Sequence, residues 1–291
     1  VKGPEIRQAR HEELADIARL IAWQNQRPEL QCIHSGEGYE SILQTILKWD
    51  KVSEICFVVA VQEGRLVGLH GAEFDEELAR GWLWGPFVLT EDWTALAADL
   101  LVKLLDLLPP AIRRLDFFVH ERNQRALDFY LGRGFHSIQT SHVYVAHRPA
   151  EPVAPPEPCQ PLAEDQAGAF RTLHDNIFPK TYYTGQDILD QLDDDHQVFL
   201  CGTGEDLVGY IYAIVDESGE GYIDFVGVRT DGRGKGLGRR LLLTALDWLF
   251  AVKQVAQVGL TVSDDQVNAR SLYEKVGFRM KVTGLSARKE W

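Results

Sequence analysis

Glycines at positions 232, 234, 236 and 238 alternate through D-G-R-G-K-G-L-G, and Arg229, Arg233, Lys235, Arg239 and Arg240 crowd positive charge onto the same stretch of an otherwise acidic chain. Glycine lets a backbone turn tightly and bring its N–H groups close to a ligand. An apolar run, Tyr222 to Val228, precedes the glycines, and Leu237, Leu241, Ala245, Trp248 and Leu249 follow them at helical spacing. The segment is therefore expected to be strand, glycine loop, helix. Unpaired amides and the macrodipole at that helix start favour an anion, so this is a candidate phosphate site.

Spacing decides which kind of phosphate site it is. A Walker loop needs Ser or Thr after Gly-Lys, and Gly236 stands there; the dinucleotide fingerprint fails because Leu237 occupies its last glycine position. What fits is R-x-x-G-x-G at Arg233, Gly236 and Gly238. About thirty residues on comes N-A-R-S-L-Y-E-K-V-G-F, Asn268 to Phe278. The two motifs in this order resemble those of the GCN5-related N-acetyltransferase (GNAT) family.

That resemblance implies acetyl-CoA as co-substrate. The main chain of Arg233, Gly234, Lys235, Gly236, Leu237, Gly238 and Arg239 would hold its diphosphate, and Val226, Gly227 and Val228 would pair with its pantetheine arm. Tyr273 matches the tyrosine that protonates the departing thiolate, a task a phenol of pKa about 10 can perform; the alternative is a ring packed between helix and sheet. An alkyl ammonium is only about one part in two thousand neutral at pH 7, so the acceptor needs a base. Asp224, in Y-I-D-F-V-G-V, is the candidate, expected by strand alternation on the same face as Val226 and Val228; a structural ion pair is its other reading. Gln266 can reach the cofactor as the family's usual Asn does, while Asn268 is expected to cap a helix Ala269 to Val276. Tyr182, Tyr183 and Asp187 fall where the family builds its acceptor pocket, or on a solvated loop. Asp193 to His196 is expected to be an exposed turn.

Behind these residues stands an internal duplication. Helices are expected over Ile6 to Gln24 and Tyr39 to Trp49, then a hairpin of Ile55 to Val61 and Leu66 to Phe74 turning at Glu63-Gly64. A strand Trp82 to Leu89, a helix Thr94 to Leu108, a strand Arg114 to Val119 and a helix Asn123 to Leu131 follow. The second half repeats the order, with helices near Ala163 to Asp175 and Gln186 to Leu192, strands Val198 to Gly202 and Leu207 to Val215 around a turn at Gly204-Glu205, the glycine segment, and a strand Gln257 to Val262. Asn123 to Phe135 answers Gln266 to Phe278, pairing Tyr130 with Tyr273. Aligning Thr90 with Thr230 leaves the first half no glycine from Glu91 through Leu108, and Glu91 and Asp92 would repel a phosphate. Six prolines lie within His147 to Pro161 and predict a semi-stiff spacer. The expectation is α/β (α+β): two tandem GNAT-like domains, each a mixed, mostly antiparallel twisted sheet flanked by helices. Residues 1–147 form a degenerate copy without a cofactor loop, 148–161 a linker, and 162–291 the acetyl-CoA-binding catalytic domain.

At 291 residues and 45% apolar, the chain can bury two cores. It contains no apolar run of the roughly 18 residues a span needs, and residues 1–10 lack the apolar centre of a signal peptide. Four scattered cysteines, Cys32, Cys56, Cys159 and Cys201, have no metal-ligand spacing, from which reduced thiols, a cytoplasmic location and no metal are expected. The formal net charge of −13 argues against nucleic acid; it is compatible with an amine acceptor, a small molecule or a peptide, and its other reading is solubility alone. A homo-oligomer is compatible with the sequence. A mycothiol-synthase-like enzyme acting on a cysteinyl amino-sugar and a non-catalytic CoA-binding sensor are the alternative functions.

Overall fold

A computed structural model describes residues 3–150, 155, 157–179, 181–202, 204, 207–216 and 218–291. The chain divides into two compact units. The first comprises residues 1–141 and 283–291, the second residues 142–282. These bounds differ from those expected. The chain crosses from the first unit to the second within a strand, and the second half returns its last nine residues to the first.

In the first unit, β1 (Glu5–Gln8), β2 (Ile55–Gln62), β3 (Arg65–Asp75), β4 (Arg80–Val88), β5 (Arg114–His120) and the Thr283–Glu290 portion of β12 (Arg279–Glu290) lie in that order. Pairing is antiparallel except between β4 and β5. Side-chain alternation along β2 feeds two cores. Val58 and Ala60 face Leu96, Leu100 and Leu104 of α3 (Trp93–Leu107), whereas Phe57 and Val59 face Ile17 and Ile21 of α1 (Leu14–Asn25) and Ile46 of α2 (Tyr39–Val52). α4 (Gln124–Leu131) starts at Asn123, whose side chain accepts from the Ala126 amide.

The second unit repeats the plan. β7 (Gln160–Pro161), β8 (His196–Cys201), β9 (Gly209–Val215), β10 (Gly221–Val228), β11 (Gln257–Ser263) and the His142–His147 portion of β6 (His136–His147) lie in order. Phe199, Ile211 and Ile223 pack with Leu241, Ala245 and Leu249 around α7 (Leu237–Asp247). On the opposite face Val198, Leu200, Tyr210 and Tyr212 pack with Phe170 and Leu173 of α5 (Ala167–Ile177) and Ile188 of α6 (Gly185–Gln191). α8 (Val267–Val276) completes the unit.

Three expectations change here. The first helix starts at Leu14 after a short strand, β1, that the polar residues of E-I-R-Q concealed. The described part of the proline-rich stretch is fastened to the second unit. Arg148 donates to the Val255 carbonyl at 2.7 and 2.9 Å, the Cys159 amide donates to Thr244 Oγ1 at 3.0 Å, and Gln160 pairs with Leu200. Cys159 and Cys201 form a disulfide, Cα atoms 5.3 Å apart, where free thiols were expected; Cys32 and Cys56 are free. Residues 151–154 and 156 of the linker and Glu205 of the expected turn lie outside the described residues.

Candidate functional site

β10 is where the second unit departs from a regular sheet. It pairs with β11 only at Gly221–Val258 and Tyr222–Gly259, so among the described residues the two strands have no partner in each other beyond Tyr222. A V-shaped opening follows between strands that run parallel yet part. On its other edge β10 slips register against β9 between Ile223 and Phe225, leaving Asp224 as the extra residue of a bulge. A bulge adds one residue to a two-residue repeat and so reverses the facing of everything beyond it. Ile223 belongs to the α7 core, Phe225 to the α5–α6 core, and Val226 and Val228 pack again on the α7 side. Asp224 is thus separated from Val226 and Val228. The expectation of a shared face fails because alternation assumes an unbulged strand.

Asp224 faces the segment between α5 and α6, where the Tyr182 hydroxyl donates to Oδ1. Tyr182 lies in turn against Phe225 and Tyr183, ring centroids 5.1 Å apart in both cases. Burial pushes the Asp224 carboxyl up to about 6, against the opposing pull of the Tyr182 hydrogen bond. Among the described residues Oδ2 makes no hydrogen bond, yet it is absent from the buried unpartnered atoms and so remains reachable.

The glycine loop opens on the α7 side. Thr230–Gly232 makes one 3₁₀ turn; Gly234 and Gly236 then adopt φ of +77° and +80°, the left-handed region, with nothing within 4 Å of where a Cβ would stand. Gly236 is the N-cap of α7, and Arg240 donates the first helical bond to its carbonyl, so the amides of Leu237, Gly238 and Arg239 have no intrahelical acceptor. At Gly238 an added Cβ would come within 3.0 Å of Leu272 on α8, so glycine there lets the two helices approach. The five cations are not equivalent. Arg229 is clamped by Asp231 at 2.6 and 2.8 Å, and Arg240 is turned to the Pro158 carbonyl and Glu157. Arg233 reaches back to the Val228 carbonyl at 3.2 Å. Lys235 and Arg239 are exposed and make no hydrogen bond or ion pair among the described residues, Lys235 acting only at longer range on Asp231. Open amides at a helix start, two free cations and an uncrowded surface fit a diphosphate.

Tyr273 lies on α8, 7% exposed, its ring against Phe278 and Tyr144. Burial pushes its phenol up to about 12, so it stays protonated through the physiological range. Its hydroxyl has no hydrogen-bond partner among the described residues and is not sealed from solvent. Tyr222 joins β10 to β11 where they part, its hydroxyl 2.9 Å from Thr261 Oγ1, and feels the charge of Asp224.

Tyr130, the counterpart of Tyr273, is different. Its hydroxyl donates to the Gly85 carbonyl at 2.7 Å and lies 2.7 Å from His70 Nε2, which must supply the proton of the second bond. Burial drives His70 down to about 3, so it is neutral. Asp92 is the N-cap of α3 and no glycine follows; Trp93, at the position of Arg233, is buried edge-on against Phe129 at 5.4 Å. Among the described residues, the first unit's counterpart of the glycine loop is therefore not open, and the phenol of its counterpart tyrosine is engaged.

A scan of family models matches residues 165–278 to the acetyltransferase (GNAT) family. This segment belongs to the GNAT family. Solved structures extend the fold to the whole chain. A GCN5-related N-acetyltransferase from Sphaerobacter thermophilus is 18% identical with a TM-score of 0.72, covering 99% of this chain and 95% of that one. A tandem GNAT protein from the clavulanic acid biosynthesis pathway is 13% identical with a TM-score of 0.66, covering 99% and 98%. A putative acetyltransferase from Pyrococcus horikoshii gives 10%, 0.63, 100% and 90%. No curated protein matches in sequence, and nothing in these likenesses links the chain to mycothiol synthase.

The remaining expected residues of the GNAT domain fall as follows. Gln266, not Asn268, is the N-cap of α8, which begins at Val267 because Gln266 has left helical geometry (φ −83°, ψ 51°); its side chain makes no cap bond, and Asn268 is exposed within the first turn. Asp187 closes a capping box on Thr184, accepting from its amide at 2.6 Å and its hydroxyl at 2.7 Å. The T-G-Q-D spacing carries that signal in sequence. Asp193 accepts from the amides of Asp195 and His196, as an exposed turn should. His174 and Tyr222 were not foreseen. His174 is fully buried between Tyr210 Oη (2.5 Å) and the Tyr183 carbonyl (2.8 Å); no local pattern marks it. A cavity of about 430 Å³ lined by Leu243, Leu246, Phe250 and Val276 lies behind α7, away from the glycine loop. Among the described residues no cluster of three or more His, Cys, Asp or Glu could hold a metal, and no helix is long and apolar enough to cross a membrane.

Proposed function

We propose that the second unit transfers an acetyl group from acetyl-CoA to the amine of a small-molecule or peptide acceptor by direct attack. The observation that carries this reading is the division of labour around the opening of β10. The loop that suits a diphosphate and the free phenol of Tyr273 lie on the α7–α8 side, and a carboxylate with one reachable oxygen lies on the α5–α6 side. Amides 234–239, with Lys235 and Arg239, would hold the diphosphate, and the main chain of Val226 to Val228 the pantetheine arm. Gln266 and Asn268, at the start of α8, would lie toward the cofactor. Asp224 Oδ2, directly or through water, would take the proton that an ammonium must lose, aided by a carboxyl already raised to about 6. As the carbon–sulfur bond breaks, Tyr273 would protonate the thiolate; its raised phenol keeps the needed proton at neutral pH. Tyr182 and Tyr183 would wall the acceptor, while Asp187 shapes the segment by capping α6. The formal net charge of −13 suits a cationic acceptor.

Thiol release from acetyl-CoA, followed against a panel of amines, tests the reading. Acceptor-dependent release supports it. Tight acetyl-CoA binding with no release under any amine would instead support a sensor.

A further inference from the structure

We propose that Tyr182 is a positioning residue: its hydroxyl, delivered by a loop braced on His174, fixes one oxygen of Asp224 so that the other faces the incoming amine. The inference rests on the acetyl-transfer reading for its purpose, but its geometry stands alone. Asp224 sits on a bulge, a backbone without the regular ladder to orient its side chain. The Tyr182 hydroxyl is the hydrogen-bond partner that it has among the described residues, on Oδ1, and Oδ2 is left reachable. A carboxylate held at one oxygen has lost a rotamer choice that an unheld one keeps.

The chain immediately after Tyr182 is itself tied at two points, Tyr183 and Gly185. A carbonyl can only accept, so the His174 ring donates from Nε2 to Tyr183 O; in the neutral ring Nδ1 then accepts from the Tyr210 hydroxyl on β9. One buried imidazole thereby connects the sheet to the residue after Tyr182. Gly185 N donates to Asp175 Oδ1 at 2.8 Å, holding the loop at its far end. Burial and then the charge of Asp224 push the Tyr182 phenol well above its ordinary value, so it remains a donor throughout the working range.

The other titratable groups that interact with Asp224 come from three strands: Tyr210 and Tyr212 on β9, Tyr222 on β10 itself, and His196 on β8. Of these Tyr212 provides the control, because its hydroxyl lies 3.4 Å from Gln191 and does not bond Asp224.

The test is the carboxyl titration of Asp224 by carbon-13 NMR in the unliganded protein. Tyr182→Phe removes a bond made to the ionised form, so the midpoint is expected to rise by about one pH unit or more, and the acid limb of kcat/KM to move with it. His174→Ala, which keeps the phenol but cuts the brace, is expected to move the midpoint in the same direction; Tyr212→Phe is expected to leave it in place. A wild-type midpoint in Tyr182→Phe, or an equal rise in Tyr212→Phe, would overturn the proposal. Since the titration needs no turnover, a protein without acyl transfer would refute the proposed function and leave this inference standing.

Discussion

Asp224→Asn should stabilise the second unit in neutral solution while disabling it. The carboxyl is raised from 3.8 to about 6 in the folded protein, about two units. At about 1.4 kcal/mol per unit this sets a ceiling near 3 kcal/mol, and partial exposure of the side chain reduces it to about 1–2 kcal/mol. The sign follows from proton binding. Between pH 4 and 6 the folded state holds a proton that the unfolded chain has released, so stability falls as pH rises through that window and is flat on either side. Asparagine does not titrate, and its amide oxygen still accepts from Tyr182. The variant should therefore match wild type near pH 4 and exceed it by about 1–2 kcal/mol at pH 7 to 8. Because two units need not unfold together, the assay is amide hydrogen exchange of β9 and β10, corrected for intrinsic rates, at pH 4 to 8. In the same variant kcat/KM should fall by about 10² to 10⁴, the worth of a positioned base. A stability difference independent of pH, or a variant less protected than wild type at pH 8, would refute the reasoning.

Tyr273→Phe should lower kcat by about a hundredfold or more while acetyl-CoA affinity changes little, since the free hydroxyl acts on the leaving thiolate; single-turnover kinetics with direct binding measurements check it. Gly236→Ala meets no neighbour but must hold φ near +80°, a strain of about 1–2 kcal/mol, so acetyl-CoA binding by calorimetry should weaken roughly fivefold to thirtyfold. Removing residues 283–291 takes away the strand that pairs with β5 from Arg114 to His120, and the amides of β5 should lose exchange protection.

How far the chain could be understood from sequence depends on the range of each interaction. Strand, glycine loop and helix from Tyr222 to Leu249 follow from local periodicity and from a loop that only glycine fits, and the structure has them there. The Thr184–Asp187 cap was equally local and lay open to the spacing rule. Other features join distant residues. Tyr182 and Asp224 are 42 positions apart, as are Cys159 and Cys201, and nothing in either neighbourhood announces the partner. The bulge at Asp224 is a property of β9 and β10 together, so alternation along β10 alone placed the carboxylate on the wrong face. Counting cations around the loop likewise overstated its free charge, because Arg229 is neutralised by Asp231 and Arg240 by Glu157. β6 and β12 escaped notice because their outer ends are exposed and show no apolar–polar alternation, Ser137 to Gln139 and Met280 to Lys281 among them.

The central claim is that one unit grips a diphosphate with the backbone of its glycine loop and the other does not. A crystal structure with acetyl-CoA at saturation tests it most directly. The account predicts phosphate oxygens within hydrogen-bond reach of amides in the 234–239 stretch and none at Asp92 to Thr94; a diphosphate seated in the first unit, or lying away from Gly236, would contradict it.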